Sequence, residues 1–123
     1  KYIDLTISIF PVRITFCPTR KIHRKYLNKN HEWISKTEIE FDCDAVTTVV
    51  KENGSLSLVV GLDYKKGDDI YIAKSLIVHE LSHVVTNIFE FLGIDCDEVR
   101  SYTMQALYEN AMIFFDNHIE CKK

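Results

Sequence analysis

The sequence has few residues that break a chain into parts. It holds two prolines and four glycines among 123 residues, and they do not gather into a linker. We therefore expect a single domain over residues 1–123 with one hydrophobic core. The four cysteines are scattered and include no CxxC pair. Because a domain with a good core does not require disulfides, we expect reduced thiols in a cytoplasmic protein.

The sequence also lacks an excess of positive charge and a long apolar run. Its net charge of -3 and isoelectric point near 5.9 argue against a general nucleic-acid binder. The apolar stretches are broken by charge before they reach the length of a membrane span. The amino end does not have the layout of a signal peptide. With 46% hydrophobic residues the chain should still fold.

Alternating apolar residues predict strands at the amino end. The stretch YIDLTISIF has the period of a half-buried strand, Pro11 interrupts it, and VRITFC resumes it up to Pro18. Thr19 is the expected N-cap of a helix through KIHRKYL. The basic segment Arg20–Lys29 is expected to be a solvated face, with binding of nucleic acid or of an acidic protein partner as the alternative. Trp33 and Ile34 are expected to pin its far end to the core.

The middle of the chain predicts a hairpin and then a long helix. Asn53-Gly54 favours a tight turn between strands Ala45–Val50 and Ser55–Leu62, since both turn positions tolerate positive φ. Ile70–Leu92 contains no glycine or proline and is apolar around most of its circumference, which is typical of a buried helix. Asp68 or Asp69 is the expected N-cap of this helix, and Gly93 its carboxyl-terminal stop.

A second helix is expected from Asp97 to about His118. Its predicted apolar face includes Val99, Tyr102, Ala106, Leu107, Ile113 and Phe114. The order of elements indicates an α+β fold, in which a small antiparallel or mixed sheet packs on a buried helix and a second, carboxyl-terminal helix.

The stretch LIVHELSHVV, within the first long helix, has the spacing of a zinc site. His79 and His83 are one turn apart, so their rings project from the same face. Two such nitrogens can bind one zinc ion at about 2.0–2.1 Å each. Glu80 lies about 100° further round the helix and can reach a zinc-held water as a general base. Burying these three side chains without a metal would be costly, so the pattern predicts Zn²⁺.

The third metal ligand must come from another part of the chain. The HExxHxxGxxH continuation is excluded, because Thr86 and Phe89 stand where glycine and histidine are needed. Glu98, in the first turn of the second helix, is the first choice. Four other residues remain open on spacing alone: Asp95, Asp97, Glu109 and His118.

HELSH followed by EVRSYTMQAL resembles two groups of zincin-type metallopeptidases over Leu76–Tyr108. One is the small phage- or prophage-encoded HExxH proteins, and the other, more distant, is the ImmA/IrrE type. The resemblance implies that His79, His83 and Glu98 bind zinc and that Glu80 is the base. It also implies a host-cytoplasmic location if the protein is phage-encoded. The chain departs from the ImmA/IrrE pattern at Tyr102, where asparagine is expected.

These observations together predict a zinc-dependent hydrolase whose substrate is a peptide or protein. In zincins an extended substrate pairs with the edge strand before the active-site helix, and that role would fall to Leu56, Leu58 and Val60, with a place in the sheet core as their alternative. Tyr102 would donate to the developing oxyanion, with packing as its alternative role. Two other functions remain open: a non-enzymatic, zinc-containing binding or virion-associated module, and a hydrolase of another substrate. No membrane partner is expected, and nucleic acid is a less favoured one.

Overall fold

The computed structural model describes residues 3–4, 12–31 and 43–121. The chain has the predicted α+β fold, with a mixed sheet and helices packed against it. The elements in chain order are β1 (Ile3–Asp4), β2 (Val12–Cys17), α1 (Arg20–Asn30), β3 (Ala45–Glu52), β4 (Ser55–Leu62), α2 (Ile70–Leu92) and α3 (Asp97–Cys121).

The sheet has the order β1-β2-β4-β3. β2 runs parallel to β4, whereas β3 and β1 pair antiparallel with their neighbours. The predicted hairpin between β3 and β4 is confirmed. Asn53 and Gly54 form its turn with φ of 51° and 78°, the positive values that a tight two-residue turn requires.

The two faces of the sheet carry separate groups of apolar side chains. Leu56, Leu58 and Val60 of β4 face α2 and α3 and belong to the main core. Val59 points to the other face, where it packs with Tyr26 and Leu27 of α1. Successive strand residues point to opposite faces. One strand therefore anchors helices on both sides of the sheet.

Helix α2 begins and ends where its sequence predicts. The Asp69 side chain accepts hydrogen bonds from the backbone N–H groups of Tyr71 and Ile72, which would otherwise lack partners at the helix start. At the other end Gly93 has φ of 68°, a left-handed conformation that closes the helix. The helix packs Ile77, Leu81 and Val84 into the core.

The predicted apolar face of α3 is wrong for most of its residues. Val99, Tyr102 and Ile113 are exposed, at 45%, 67% and 61%. The face that enters the core instead includes Leu107, Ala111, Met112 and Phe115. The error arises because α3 carries apolar residues on two opposite sides. The buried side is selected by aromatic contacts, such as Phe114 against Phe16 of β2, with 5.7 Å between ring centroids, and Phe115 against Tyr64 of the loop after β4, with 5.1 Å.

The predicted edge position of β4 is also wrong. β4 pairs with β2 on one side and with β3 on the other, so the backbone at Leu56, Leu58 and Val60 is engaged in the sheet. These three side chains are fully buried. They are core residues and cannot pair with a substrate strand. In the described ranges, the outer strand on this side is β3, which pairs with β4 alone.

Some predictions fall outside the described residues, namely the strand from Leu5 to Pro11 and the anchoring role of Trp33 and Ile34. None of the helices within the described ranges is both long and apolar enough to cross a membrane. Three cysteines are free thiols, as predicted: Cys17, Cys43 and Cys96. Burial raises the pKa of the Cys17 thiol to about 12, so this thiol stays protonated and unreactive.

Candidate metal centre

His79, Glu80 and His83 form a compact group on α2. One possible ligand atom from each residue lies within 4.8 Å of the others, and within residues 12–31 and 43–121 this is the one cluster of its kind. The Nε2 atoms of His79 and His83 are 3.2 Å apart, and the two rings are tilted edge to face. The helical spacing has therefore brought the two nitrogens to a common point, as the sequence predicts.

The distance between the two histidine nitrogens fits a shared zinc ion. Two nitrogens bound at about 2.0–2.1 Å in tetrahedral geometry lie about 3.3 Å apart. The observed separation of 3.2 Å is close to this value. A hydrogen bond between neutral rings has a similar length, but exposed nitrogens gain little from it because water is an equally good partner. The donor set also suits zinc, which favours imidazole nitrogen.

Glu80 is held differently from the histidines. Its side chain points toward the sheet and is only 8% exposed. Its Oε1 accepts a hydrogen bond of 2.7 Å from the Thr47 hydroxyl of β3. Its other oxygen, Oε2, lies 4.0 Å from Nε2 of His79. The carboxylate thus lies between the outer strand and the histidine pair, where a general base would stand.

Sequence reasoning did not identify Thr47. The sequence could nevertheless have indicated the position of Thr47. Strand alternation and the Asn53-Gly54 turn together fix which residues of β3 face the helix layer. The register pairs Thr47 with Val60, whose side chain faces α2. A polar residue at this position, opposite a buried glutamate, marks a contact between sheet and helix.

The histidines are less buried than predicted. The His79 side chain is 66% exposed, and His83 is exposed as well. They lie on the side of α2 opposite Leu81 and Val84, which contact the sheet. The expectation that all three polar groups would be costly to bury is therefore wrong for the histidines. It holds for Glu80, which is 6% exposed as a whole residue.

The structure does not bring Glu98 into the group of ligand atoms. Lys74 pairs with Asp116 at 2.9 Å, and Arg100 lies over the Phe89 ring at 5.3 Å. These contacts set an antiparallel register that places Glu98 level with the last turn of α2. At 1.5 Å per residue, that level is about 13 Å along the helix from His83. Glu98 is exposed, and its ligand role stays a prediction.

The other candidates also lie outside the group. Asp95, Asp97 and Glu109 are exposed, and Glu109 accepts a hydrogen bond from Gln105. The His118 ring packs against Tyr64, with 6.3 Å between centroids. Tyr102 is 67% exposed, and its oxyanion role stays a prediction.

Arg20, at the start of the basic segment, has a structural role. Arg20 forms an ion pair of 2.9 Å with Asp63 and donates a hydrogen bond to the carbonyl of Cys43. It therefore ties α1 to the chain segments that flank β3 and β4. Lys21, Arg24, Lys25 and Lys29 are exposed, as expected for a solvated face. A partner for this segment stays a prediction.

Comparisons with protein-family models, with curated proteins and with solved structures found no match to this chain.

Proposed function

We propose that the chain is a zinc-dependent hydrolase that acts on peptides. The observation that carries the proposal is the pair of His79 and His83 nitrogens, 3.2 Å apart, with the Glu80 carboxylate beside them. A site that only stabilises the fold needs no base next to its ligands. The resemblance of HELSH and the following helix to zincin-type metallopeptidases supports the same chemistry.

Each residue of the group has a distinct role in this proposal. His79 and His83 would hold the metal through their Nε2 atoms, and zinc, when bound there, would supply Lewis acidity and lower the pKa of its water. Glu80 accepts the proton of the attacking water and passes it to the leaving amine. Glu98 is the proposed third ligand, which requires the start of α3 to approach the histidines more closely.

The substrate would pair with β3 rather than with β4. In the part of the chain that is described, the outer edge of β3 has no strand beside it. Thr47 of this strand contacts Glu80, so β3 lies beside the proposed base. An extended peptide added along β3 would gain backbone hydrogen bonds and lie next to the base. The free thiols support a reducing compartment, and we propose the cytoplasm.

Metal analysis tests the site. Purified wild-type protein, loaded with zinc and freed of excess, should retain close to one equivalent, whereas His79→Ala and His83→Ala should retain little. Glu90→Ala is the matched control, because Glu90 is exposed on the same helix beyond the site. Glu98→Ala should also lose zinc if Glu98 is the third ligand. Wild-type protein without bound zinc would refute the metal centre.

Turnover tests the hydrolase. A peptide library incubated with zinc-loaded wild-type protein should yield new termini that mass spectrometry detects. Glu80→Gln should keep the zinc and lose on the order of 10²-fold or more in rate, because it removes the base alone. Equal inactivity of both proteins would instead support the non-enzymatic binding module.

A further inference from the structure

We infer that Thr47 is a positioning residue. Its hydroxyl binds one carboxylate oxygen of Glu80 and leaves the other oxygen to accept a proton. This inference rests on the proposed function for its catalytic part, and on geometry alone for its structural part. Thr47 lies in β3 and Glu80 in α2, so the contact joins the outer strand to the helix that carries the histidines.

The Thr47 hydroxyl has two acceptors within reach, and their distances indicate which one accepts its hydrogen bond. Its oxygen lies 2.7 Å from Oε1 of Glu80 and 3.4 Å from the backbone carbonyl oxygen of the same residue. A hydroxyl has one proton to donate, and 2.7 Å is the usual length of a strong O–H···O bond. The carboxylate oxygen, rather than the backbone carbonyl, therefore accepts the hydrogen bond. Hydrogen bonds to a charged acceptor are also the stronger ones.

The bond to Thr47 leaves the second oxygen of Glu80 for chemistry. Oε2 faces Nε2 of His79 at 4.0 Å, on the side where a water held between the histidines and the base would lie. Oε1 is turned toward the sheet and is occupied by the hydroxyl. Proton transfer is therefore assigned to Oε2, while Thr47 fixes the rotation of the carboxylate about its last bond.

Burial makes this restraint effective. Glu80 is 6% exposed, so water has little access to compete for Oε1. Thr47 itself is held by the pairing of β3 with β4, in which it lies opposite Val60. The base is thus oriented by a residue on a rigid strand, and a loss of that orientation should lower turnover more than substrate binding.

A double-mutant cycle in metal-free protein tests the contact without relying on activity. Thr47→Val keeps the shape of the side chain and removes the hydroxyl, and Glu80→Met removes the acceptor. The effects of the two changes on the unfolding equilibrium constant, measured in urea, should depart from additivity by about tenfold. Additivity within about twofold would overturn the inferred bond.

Kinetics of the zinc-loaded protein test the positioning role. With the best-cleaved peptide of the library, Thr47→Val should lower kcat on the order of 10- to 100-fold, with KM within twofold and zinc content unchanged. Thr47→Ser, which restores the hydroxyl, should recover most of the rate. Thr103→Val is the matched control, since Thr103 lies on α3 and its hydroxyl donates to the Val99 carbonyl of the same helix.

Failure of the positioning role can be distinguished from failure of the proposed hydrolase function. If wild-type protein cleaves peptides and Thr47→Val retains its kcat, the positioning role is wrong and the hydrolase stands. If wild-type protein cleaves no peptide, the proposed function and the catalytic part of this inference both fail, and the urea cycle alone decides whether Thr47 holds the carboxylate.

Discussion

Helices α2 and α3 lie side by side, yet they distribute their apolar residues differently. α2 places Ile77, Leu81 and Val84 against the sheet and carries its histidines on the opposite side. α3 buries Leu107 and Phe115 but leaves apolar side chains exposed on its far side. Apart from its exposed first turn (residues 70–72) and Val78, α2 thus separates polar from apolar residues, whereas α3 has two apolar faces and only one of them meets the core.

This difference shows what a helical pattern can specify. On α2, a polar stripe stands out against buried neighbours, so its position on the surface has a chemical meaning. On α3, the pattern alone does not identify the inner face, and tertiary contacts decide it. Substitutions on the two helices should therefore have unequal effects.

The largest effect on the free energy of unfolding is expected from a substitution in the inner face of α2. Leu81 is fully buried in the main core, and Leu81→Ala should lower the free energy of unfolding by about 2–5 kcal/mol, because the lost contacts leave a cavity. Urea unfolding of metal-free protein measures this change without a contribution from bound zinc. A loss below about 1 kcal/mol would show that α2 is not packed on the sheet as described.

An intermediate effect is expected where α2 ends. Gly93→Ala should cost about 1 kcal/mol of unfolding free energy, since an L side chain is strained at φ of 68°. Gly93→Asn is the control and should cost less, because asparagine tolerates the left-handed region better. Equal losses from both variants would mean that strain at this position is not the cause.

The smallest effect is expected on the outer face of α3. Ile113 is 61% exposed, so Ile113→Ala should change the unfolding free energy by no more than about 0.5 kcal/mol. The same urea titration gives the value. If the loss approached that of Leu81→Ala, the two helices would not differ as the structure indicates, and the sequence-based assignment of this face to the core would regain support.

The sequence was sufficient wherever a local rule fixes the outcome. Asp69, Gly93 and the Asn53-Gly54 turn mark boundaries through backbone hydrogen bonding and φ alone, and the structure has all three as predicted. The approach of His79 to His83 likewise follows from helical spacing within one element.

Predictions that depend on how helices and strands are placed relative to one another were less accurate. The central position of β4 depends on its parallel pairing with β2, which no local pattern encodes. The exposure of His79 depends on how α2 lies on the sheet. The distance from His83 to Glu98 depends on the register between α2 and α3. Thr47 was missed for the same reason, because its partner is on another element.

The pairing of β2 with β4 also constrains the order in which the chain can assemble. Val12 lies opposite Leu56, and α1 and β3 are both between them in the chain. The β3–β4 hairpin and the α2–α3 pair join neighbouring segments, whose loops close at low entropic cost. The centre of the sheet closes a much longer loop, and contacts of this kind slow folding. The strand that supports both helix layers thus gains its second partner only after the ends of a long segment meet.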